Sequence, residues 1–203
     1  MSLLGNWEET KAIKRGENEQ LPSGGYIIEI MQAYENETAS GKSLKISFDI
    51  VQGEYAGFYM KKYKKRYDKE EQWKGNYFMF YPKDNDDIYT RGILKGNINA
   101  IEKSNTGIKL IPTFDGNGFT SQSIKDLEGK LVGAVMYEKE WEMNGRTGFY
   151  TTVSHLETVE DIKNGNYKVP EKKLLKRDDK QADNEFGVPM DGFNEIDDDD
   201  MPF

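Results

Sequence analysis

Apolar and polar residues alternate in two neighbouring stretches near the start of the chain. Residues 26–34 alternate in part, as a strand buried on most of both faces would, and residues 44–50 alternate cleanly. This two-residue period is typical of a strand. Residues 36–41 separate the two stretches and are rich in turn-forming residues. The pattern therefore predicts a β-hairpin.

Two stretches rich in aromatic residues, 58–67 and 76–81, are predicted to be further strands. Pro82 ends the second of them. Phe58, Phe78 and Phe80 are predicted to face the core.

A helix is predicted next, over about residues 86–103. Leu94, Ile98 and Ile101 follow the spacing of one helix face. The Asp and Asn side chains at 84–87 can cap the start of this helix, and their negative charge suits its N-terminus.

The chain closes with a second predicted hairpin, residues 131–141 and 147–156 around an Asn-Gly turn at 144–145. The order is then three or four strands, a helix and two strands. This order predicts a mainly β protein with an OB-fold-like, five-stranded Greek-key barrel and one helix between strands 3 and 4. A non-closed sandwich is the alternative. Since the apolar periodicity ends near residue 170, we predict a domain over 1–170 and a flexible acidic tail over 171–203.

Charge is distributed unevenly along the chain. Residues 178–203 hold ten of the 36 acidic residues and one of the 28 basic ones, so this segment carries −9 and residues 1–177 carry +1. The whole-chain charge of −8 therefore does not argue against binding of nucleic acid by the body of the protein.

Several classes of function are disfavoured by what the sequence lacks. Without cysteine and with one histidine, His155, thiolate metal sites and Ser-His catalysis are not expected. No nucleotide-binding fingerprint is present. We therefore predict a protein that is not an enzyme and uses no cofactor or metal. No apolar run is long enough to span a membrane, and the first residues do not resemble a signal peptide, so a cytoplasmic location is expected.

Basic and aromatic residues are interleaved in residues 55–81, which hold ten of the 25 aromatic residues and seven basic ones. Single-stranded nucleic acid offers an anionic backbone and exposed base faces, so a protein that binds it without reading sequence needs cations and aromatic rings. In an extended segment, Tyr59, Lys61, Tyr63 and Lys65 would share one face. The alternative is a solvated edge strand whose lysines oppose aggregation. The predicted DNA-binding residues are Tyr59, Lys61, Lys62, Tyr63, Lys64, Lys65, Arg66, Tyr67, Trp73, Lys74 and Tyr77.

The C-terminal segment is rich in Asp, Asn, Gly and Pro and is predicted to be disordered. It ends in four aspartates followed by Met201, Pro202 and Phe203. This ending resembles that of bacterial single-stranded-DNA-binding proteins, with Met201 where Ile or Leu is usual. The resemblance implies that this segment docks replication and recombination proteins, with Pro202 and Phe203 carrying most of the recognition. The predicted partner-binding residues are Asp197, Asp198, Asp199, Asp200, Met201, Pro202 and Phe203.

Residues 22–26, 38–41, 44–50 and 127–133 carry a second resemblance. With these segments, the body resembles a phage and prophage family that was long catalogued as a domain of unknown function. The resemblance implies an OB-like, single-stranded-DNA-binding protein of a phage of Gram-positive bacteria.

We therefore predict a sequence-independent single-stranded-DNA-binding protein that acts in DNA replication or recombination. The alternatives are a strand-annealing mediator of recombination and a protein-interaction adaptor with a DNA-mimicking tail. Barrels of this size often form a homo-oligomer, and the sequence leaves open whether this one is a monomer, dimer or tetramer.

Overall fold

Five antiparallel strands form one open sheet in the computed structural model, which describes residues 20–39, 41–66 and 72–175. The strand order across the sheet is β3-β2-β1-β4-β5. The strands are β1 (Gly24–Thr38), β2 (Gly41–Ile50), β3 (Asn76–Phe80), β4 (Leu131–Met143) and β5 (Arg146–Glu157). Four helices accompany them in the described part of the chain: α1 (Phe58–Lys64), α2 (Ile88–Ser104), α3 (Ser121–Lys125) and α4 (Val159–Asn164).

Strand β1 joins the two halves of the sheet. It pairs with β2 from Ile28 to Thr38 and with β4 from Gly24 to Glu29. The register with β2 shifts between Ile30 and Gln32, which marks a β-bulge. Because a bulge bends a strand, β1 can belong to both halves.

The hydrophobic core lies on one side of the sheet, which we call the inner face, and the opposite side is the outer face. Alternate residues of β2 contribute to the core, as the two-residue period of residues 44–50 predicted. Helix α2 closes the core from the inner side. The largest fully buried side chains include Ile28, Ile30, Leu44, Ile46, Phe48, Met79, Ile101 and Met136.

Both predicted hairpins are confirmed, β1–β2 and β4–β5. In the second, Asn144 and Gly145 have φ angles of 52° and 72°, the left-handed pair that a two-residue type I′ turn requires. The predicted helix over 86–103 is confirmed as α2. Its N-cap is Asp87, whose carboxylate accepts a hydrogen bond from the backbone N–H of Thr90 at 3.1 Å.

Two predictions about the order of elements need correction. The predicted strand over 58–67 is wrong, because residues Phe58–Lys64 form α1. Between β3 and β4 there are two helices, α2 and the shorter α3, where one was predicted. The backbone ladder described here is an open sheet, and closure into a barrel stays a prediction.

Side chains link the two edge strands of the sheet. The hydroxyl of Tyr77 in β3 donates to the carbonyl oxygen of Ser154 in β5 at 3.2 Å. Asn97 of α2 donates from Nδ2 to the Tyr77 hydroxyl at 3.1 Å and accepts from the N–H of Leu156 at 2.8 Å. Burial raises the pKa of Tyr77 to about 12, so this hydroxyl stays protonated and can donate.

Contacts with the sheet extend to Leu175, past the predicted start of the tail. The N–H of Glu140 donates to the carbonyl of Lys173 at 2.9 Å, and the N–H of Lys173 donates to the carbonyl of Glu138 at 3.0 Å. The N–H of Leu175 then donates to the Glu140 carboxylate at 3.0 Å. These residues therefore occupy the edge of β4 beyond the end of its pairing with β1.

A hydrogen-bonded carboxylate holds together the end of the sheet near the β1–β2 turn. Glu35 accepts hydrogen bonds from the Tyr81 hydroxyl at 2.9 Å and the Phe119 N–H at 3.1 Å, and it pairs with Lys42 at 2.8 Å. Burial alone would raise the pKa of Glu35. The three donors outweigh burial and hold this pKa below its ordinary value.

Replacing Glu35 with glutamine is expected to lower the free energy of unfolding by about 1 kcal/mol at neutral pH. Since the folded pKa is below the unfolded one, ionised Glu35 stabilises the fold above the ordinary glutamate pKa. This contribution is lost as pH falls through the lowered folded value. Urea unfolding of both proteins from neutral pH down to about pH 3 checks this. A difference that persists unchanged in acid would contradict the assigned role.

Candidate nucleic-acid interface

Helix α1 is capped by a carboxylate from another element. Gly57, at φ 71°, precedes the helix and offers no side chain, and no local side chain caps it. Asp49 of β2 lies on the outer face instead, and its carboxylate accepts from the N–H groups of Tyr59 at 3.0 Å and Met60 at 3.1 Å. A negative charge at this end also suits the helix dipole. Asp49 therefore explains why a segment with a strand-like pattern is helical.

Asp49→Ala is expected to lower the free energy of unfolding by about 1–2 kcal/mol, because two N–H groups in the first turn of α1 lose their acceptor. Asp126→Ala is the matched control, since Asp126 is exposed and, among the described residues, its carboxylate accepts only from Gln122. Urea titrations followed by far-ultraviolet circular dichroism measure both. Equal stability of the two variants would contradict the capping role.

Four lysines of this region are exposed: Lys61, Lys62, Lys64 and Lys65. Lys61 donates to the carbonyl oxygen of Ala56 at 2.8 Å, which leaves its charge at the surface. Within the described ranges none of the four forms an ion pair with an acidic side chain. Residues 67–71, which follow, lie outside the described ranges. The arrangement is a concentrated positive patch on one short helix.

An aromatic and guanidinium stack lies beside these lysines. The Arg66 guanidinium lies 3.5 Å from the centre of the Tyr63 ring, and the ring centres of Tyr63 and Trp73 are 5.5 Å apart. The Trp73 indole N–H donates to the carbonyls of Phe48 at 3.2 Å and Gly75 at 3.1 Å. These bonds fix the Trp73 ring, so the stack is held before any ligand arrives.

The structure divides the predicted DNA-binding residues into three groups. Tyr59 is only 8% exposed and Tyr77 faces the inner side, so both are structural and their assignment as stacking residues is corrected. Tyr67 lies outside the described residues, as do all seven predicted partner-binding residues, 197–203. The remaining members stay on or beside α1: Lys61, Lys62, Tyr63, Lys64, Lys65, Arg66, Trp73 and Lys74.

A second set of rings and a lysine lies on the outer face of β1, β2 and β3. The ammonium group of Lys45 lies 5.5 Å from the ring centre of Tyr34 and 5.1 Å from that of Phe78. Tyr34 is 37% exposed, and Phe80, farther along β3, is 39% exposed. The prediction that Phe78 and Phe80 face the core is therefore wrong.

Strand register explains this orientation. Met79 pairs with Leu44 and Tyr77 with Ile46, and both β2 residues face the core. Paired residues lie on the same face, so Phe78 must point outward. The alternation in residues 44–50 shows which β2 residues face the core. Together with the pairing of β2 and β3, it would have identified Phe78 and Phe80 as facing outward.

Hydrogen bonds connect the residues beside α1 to the strands that carry Lys45 and Phe78. The side-chain amide of Asn76 donates to the Trp73 carbonyl at 2.6 Å, and the Ser47 hydroxyl donates to the Asn76 side-chain oxygen at 2.8 Å. Ser47 and Lys45 are two residues apart on β2 and so share the outer face. These hydrogen bonds link Trp73, whose ring lies beside Tyr63 of α1, to the outer face of β2. We call this surface the basic-aromatic face: Tyr34, Lys45, Lys61, Lys62, Tyr63, Lys64, Lys65, Arg66, Trp73, Phe78 and Phe80.

A separate aromatic group lies on the outer face of the β4–β5 hairpin. The ammonium group of Lys139 lies 6.0 Å from the ring centre of Tyr150, and the Trp141 ring lies over Gly148, where an added Cβ would be 2.9 Å from it. Ile162 of α4 and Tyr167 cover the central strands, since a Cβ on Gly25 would lie within 3 Å of both. The hairpin group is thus distinct from the basic-aromatic face.

The arrangement supplies cations and aromatic rings. Among the residues with described positions, no group of three or more His, Asp or Glu side chains is suited to holding a metal ion. Nor does any helix in those ranges have both the length and the apolar character needed to cross a membrane.

Neither a scan against protein-family models nor a search of curated proteins found a match for the chain.

Proposed function

We propose that the protein binds single-stranded DNA without sequence preference through the basic-aromatic face. The observation that carries this proposal is Lys45, which lies between two partly exposed rings and belongs to the surface that also includes the lysines of α1. The rings provide platforms for successive bases, and the lysines neutralise phosphates. Because every base has a flat face, such a surface needs no particular sequence.

The strand arrangement supports an OB-like barrel as the scaffold. The sheet has a bent first strand shared by two halves, and its edge strands approach through Tyr77 and Ser154. Helix α2 lies between these edges and contacts both. In OB-folds, the face of strands 2 and 3 binds oligonucleotides. Lys45 and Phe78 occupy that face here.

The biological setting is proposed from resemblance alone. The similar segments of the body point to a phage, and to replication or recombination. The last seven residues, 197–203, resemble a partner-docking tail and are proposed to recruit enzymes to the coated strand. Neither step depends on the geometry of the basic-aromatic face.

A salt series of fluorescence-anisotropy titrations tests the function. The ligands are oligo-dT, duplex DNA and RNA of matched length, and the protein is the full chain. We expect oligo-dT to bind more tightly than duplex DNA, with affinity that falls steeply as salt rises. Negligible binding to all three ligands would overturn the proposal and favour the adaptor alternative.

Strand annealing is a second candidate, favoured by the separate aromatic group on the β4–β5 hairpin. A protein with two surfaces for single strands can bring two strands together. The test follows the pairing of two complementary labelled oligonucleotides by fluorescence. Trp141→Ala should slow annealing and leave binding of one strand unchanged. Annealing no faster than in the absence of protein would exclude this candidate.

A further inference from the structure

A cleft of about 320 Å³ lies between the start of β1, the loop before α1 and helix α4. Its lining includes Tyr26, Ile27, Gln52, Glu54, Tyr55 and Ile162. This volume is near the lower end of the range for small-molecule sites, and a mixture of rings, aliphatic side chains and a few polar groups is typical of them. A cleft of this kind can take one flat, partly polar ring system.

The walls of the cleft are fixed by contacts within the protein. The N–H of Val51, at the start of the loop, donates to the carbonyl of Ile27 in β1 at 3.0 Å. The Tyr26 hydroxyl donates to the carbonyl of Pro22 at 2.7 Å, and the rings of Tyr26 and Tyr55 meet edge to face with their centres 6.1 Å apart. Because the cleft is formed before a ligand arrives, binding there has a smaller entropic cost.

Contacts between rings join the cleft to the lysines of α1. The ring centre of Tyr55 lies 6.4 Å from that of Phe58, and the ammonium group of Lys62 lies 6.0 Å from the Phe58 ring centre. Lys61 donates to the carbonyl oxygen of Ala56, the residue after Tyr55. A strand whose phosphates contact these two lysines can therefore place one base in the cleft.

The charged group of the cleft is a carboxylate, which suits the edge of a base and repels a phosphate. Glu54 is exposed and, within the described residues, forms no ion pair. Guanine presents two adjacent donors on one edge, its ring N–H and its amino group, and these match the two carboxylate oxygens as a guanidinium does. Thymine has one ring N–H between two carbonyl oxygens, and adenine and cytosine have an amino group beside an acceptor nitrogen. Glu54 therefore favours guanine.

We propose that the cleft binds one guanine base of the single strand, with the Tyr55 ring against the base and the Glu54 carboxylate on its donor edge. This inference rests on the proposed binding of single-stranded DNA and adds a base preference at one position of the strand. The rings of the basic-aromatic face contact the other bases through their flat faces, which every base has.

Fluorescence-anisotropy titrations of the full chain with three strands of equal length test the proposal. One strand is oligo-dT, one has guanine at every third position, and one has hypoxanthine at those positions. Hypoxanthine is guanine without its amino group, and a lithium buffer prevents guanine quadruplexes. We expect the guanine strand to bind roughly 3- to 10-fold more tightly than the hypoxanthine strand, because hypoxanthine loses one hydrogen bond to the carboxylate.

Glu54→Ala should abolish the difference between the guanine and hypoxanthine strands. Glu54 is exposed, so the variant should keep its fold. Removing a negative charge strengthens the binding of both strands alike, and the ratio of their affinities is unaffected by this. Glu128→Ala removes another exposed glutamate, on the turn after α3, and is the matched control. It should keep the wild-type ratio.

Equal binding of the guanine and hypoxanthine strands by the wild type would overturn the proposal, as would a Glu54→Ala variant that keeps the wild-type ratio. In both cases the protein would still bind oligo-dT, so failure of this inference is distinguishable from failure of the proposed function. Negligible binding of all three strands would overturn both.

Discussion

Phe78→Ala is expected to weaken binding of oligo-dT by roughly 5- to 150-fold while the salt dependence of binding stays unchanged. Phe78 offers a ring on the outer face of β3, and a base stacked on such a ring contributes about 1–3 kcal/mol. Removing the ring removes no charge, so the number of counterions released on binding should not change. Anisotropy titrations at several salt concentrations report both quantities.

The matched control is Phe114→Ala. Phe114 is fully exposed in the loop between α2 and α3 and is not part of the basic-aromatic face. Its removal should leave the affinity for oligo-dT unchanged. Equal losses for the Phe78 and Phe114 variants would mean that binding does not depend on this face.

Replacing lysines of α1 should change the salt dependence of binding, which Phe78→Ala is expected to leave unchanged. Replacing Lys62, Lys64 and Lys65 with glutamine removes three positive charges and no ring. The slope of log K against log salt should then fall in magnitude by about 0.7 for each phosphate that is no longer neutralised. Lys125→Gln, elsewhere on the surface, serves as the control. Loss of affinity without a change of slope would assign these lysines a structural role instead of a phosphate-binding one.

Elements defined by neighbouring residues could be predicted from the sequence. The β4–β5 hairpin depends on an Asn-Gly turn between two strands, and α2 depends on apolar spacing and on a cap supplied by Asp87, its own preceding residue. Each signal lies within one continuous stretch of chain. Local patterning was therefore sufficient for these elements.

Elements defined by contacts with another element could not be predicted in this way. Helix α1 depends on the Asp49 side chain, and whether this side chain reaches the Tyr59 N–H is decided by how β2 and α1 pack together. The stretch 76–80 has large apolar or aromatic side chains on both faces, so alternation alone gave no direction, and only pairing with β2 decides that Phe78 faces outward. The sequence thus identified the interleaved basic and aromatic residues, but it assigned Phe78 and Phe80 to the wrong face of the sheet.

Asn97→Ala is expected to destabilise the fold by about 2–4 kcal/mol. Asn97 is 2% exposed and links α2 to both edges of the sheet, through the Tyr77 hydroxyl and the Leu156 N–H. Truncation leaves the buried Leu156 N–H without its acceptor and creates a small cavity, and both effects destabilise. For a protein of this size, each kcal/mol lowers the melting temperature by about 2–4 °C. Calorimetry of the variant and the wild type measures this shift.

Asn99→Ala is the control that distinguishes loss of the Asn97 hydrogen bonds from a general effect of changing a residue in α2. Asn99 lies two residues away on the solvent-facing side of the same helix, so its replacement should change the stability of dilute protein by less than about 0.5 kcal/mol. Hydrogen exchange supplies a second readout, because the Leu156 amide should lose protection in Asn97→Ala and keep it in Asn99→Ala. If both variants behaved alike, Asn97 would not connect the edge strands. If only Asn97→Ala loses stability and Leu156 protection, side chains of α2 and β3 hold together the two edge strands, β3 and β5, which lie at opposite ends of the backbone-paired strand order.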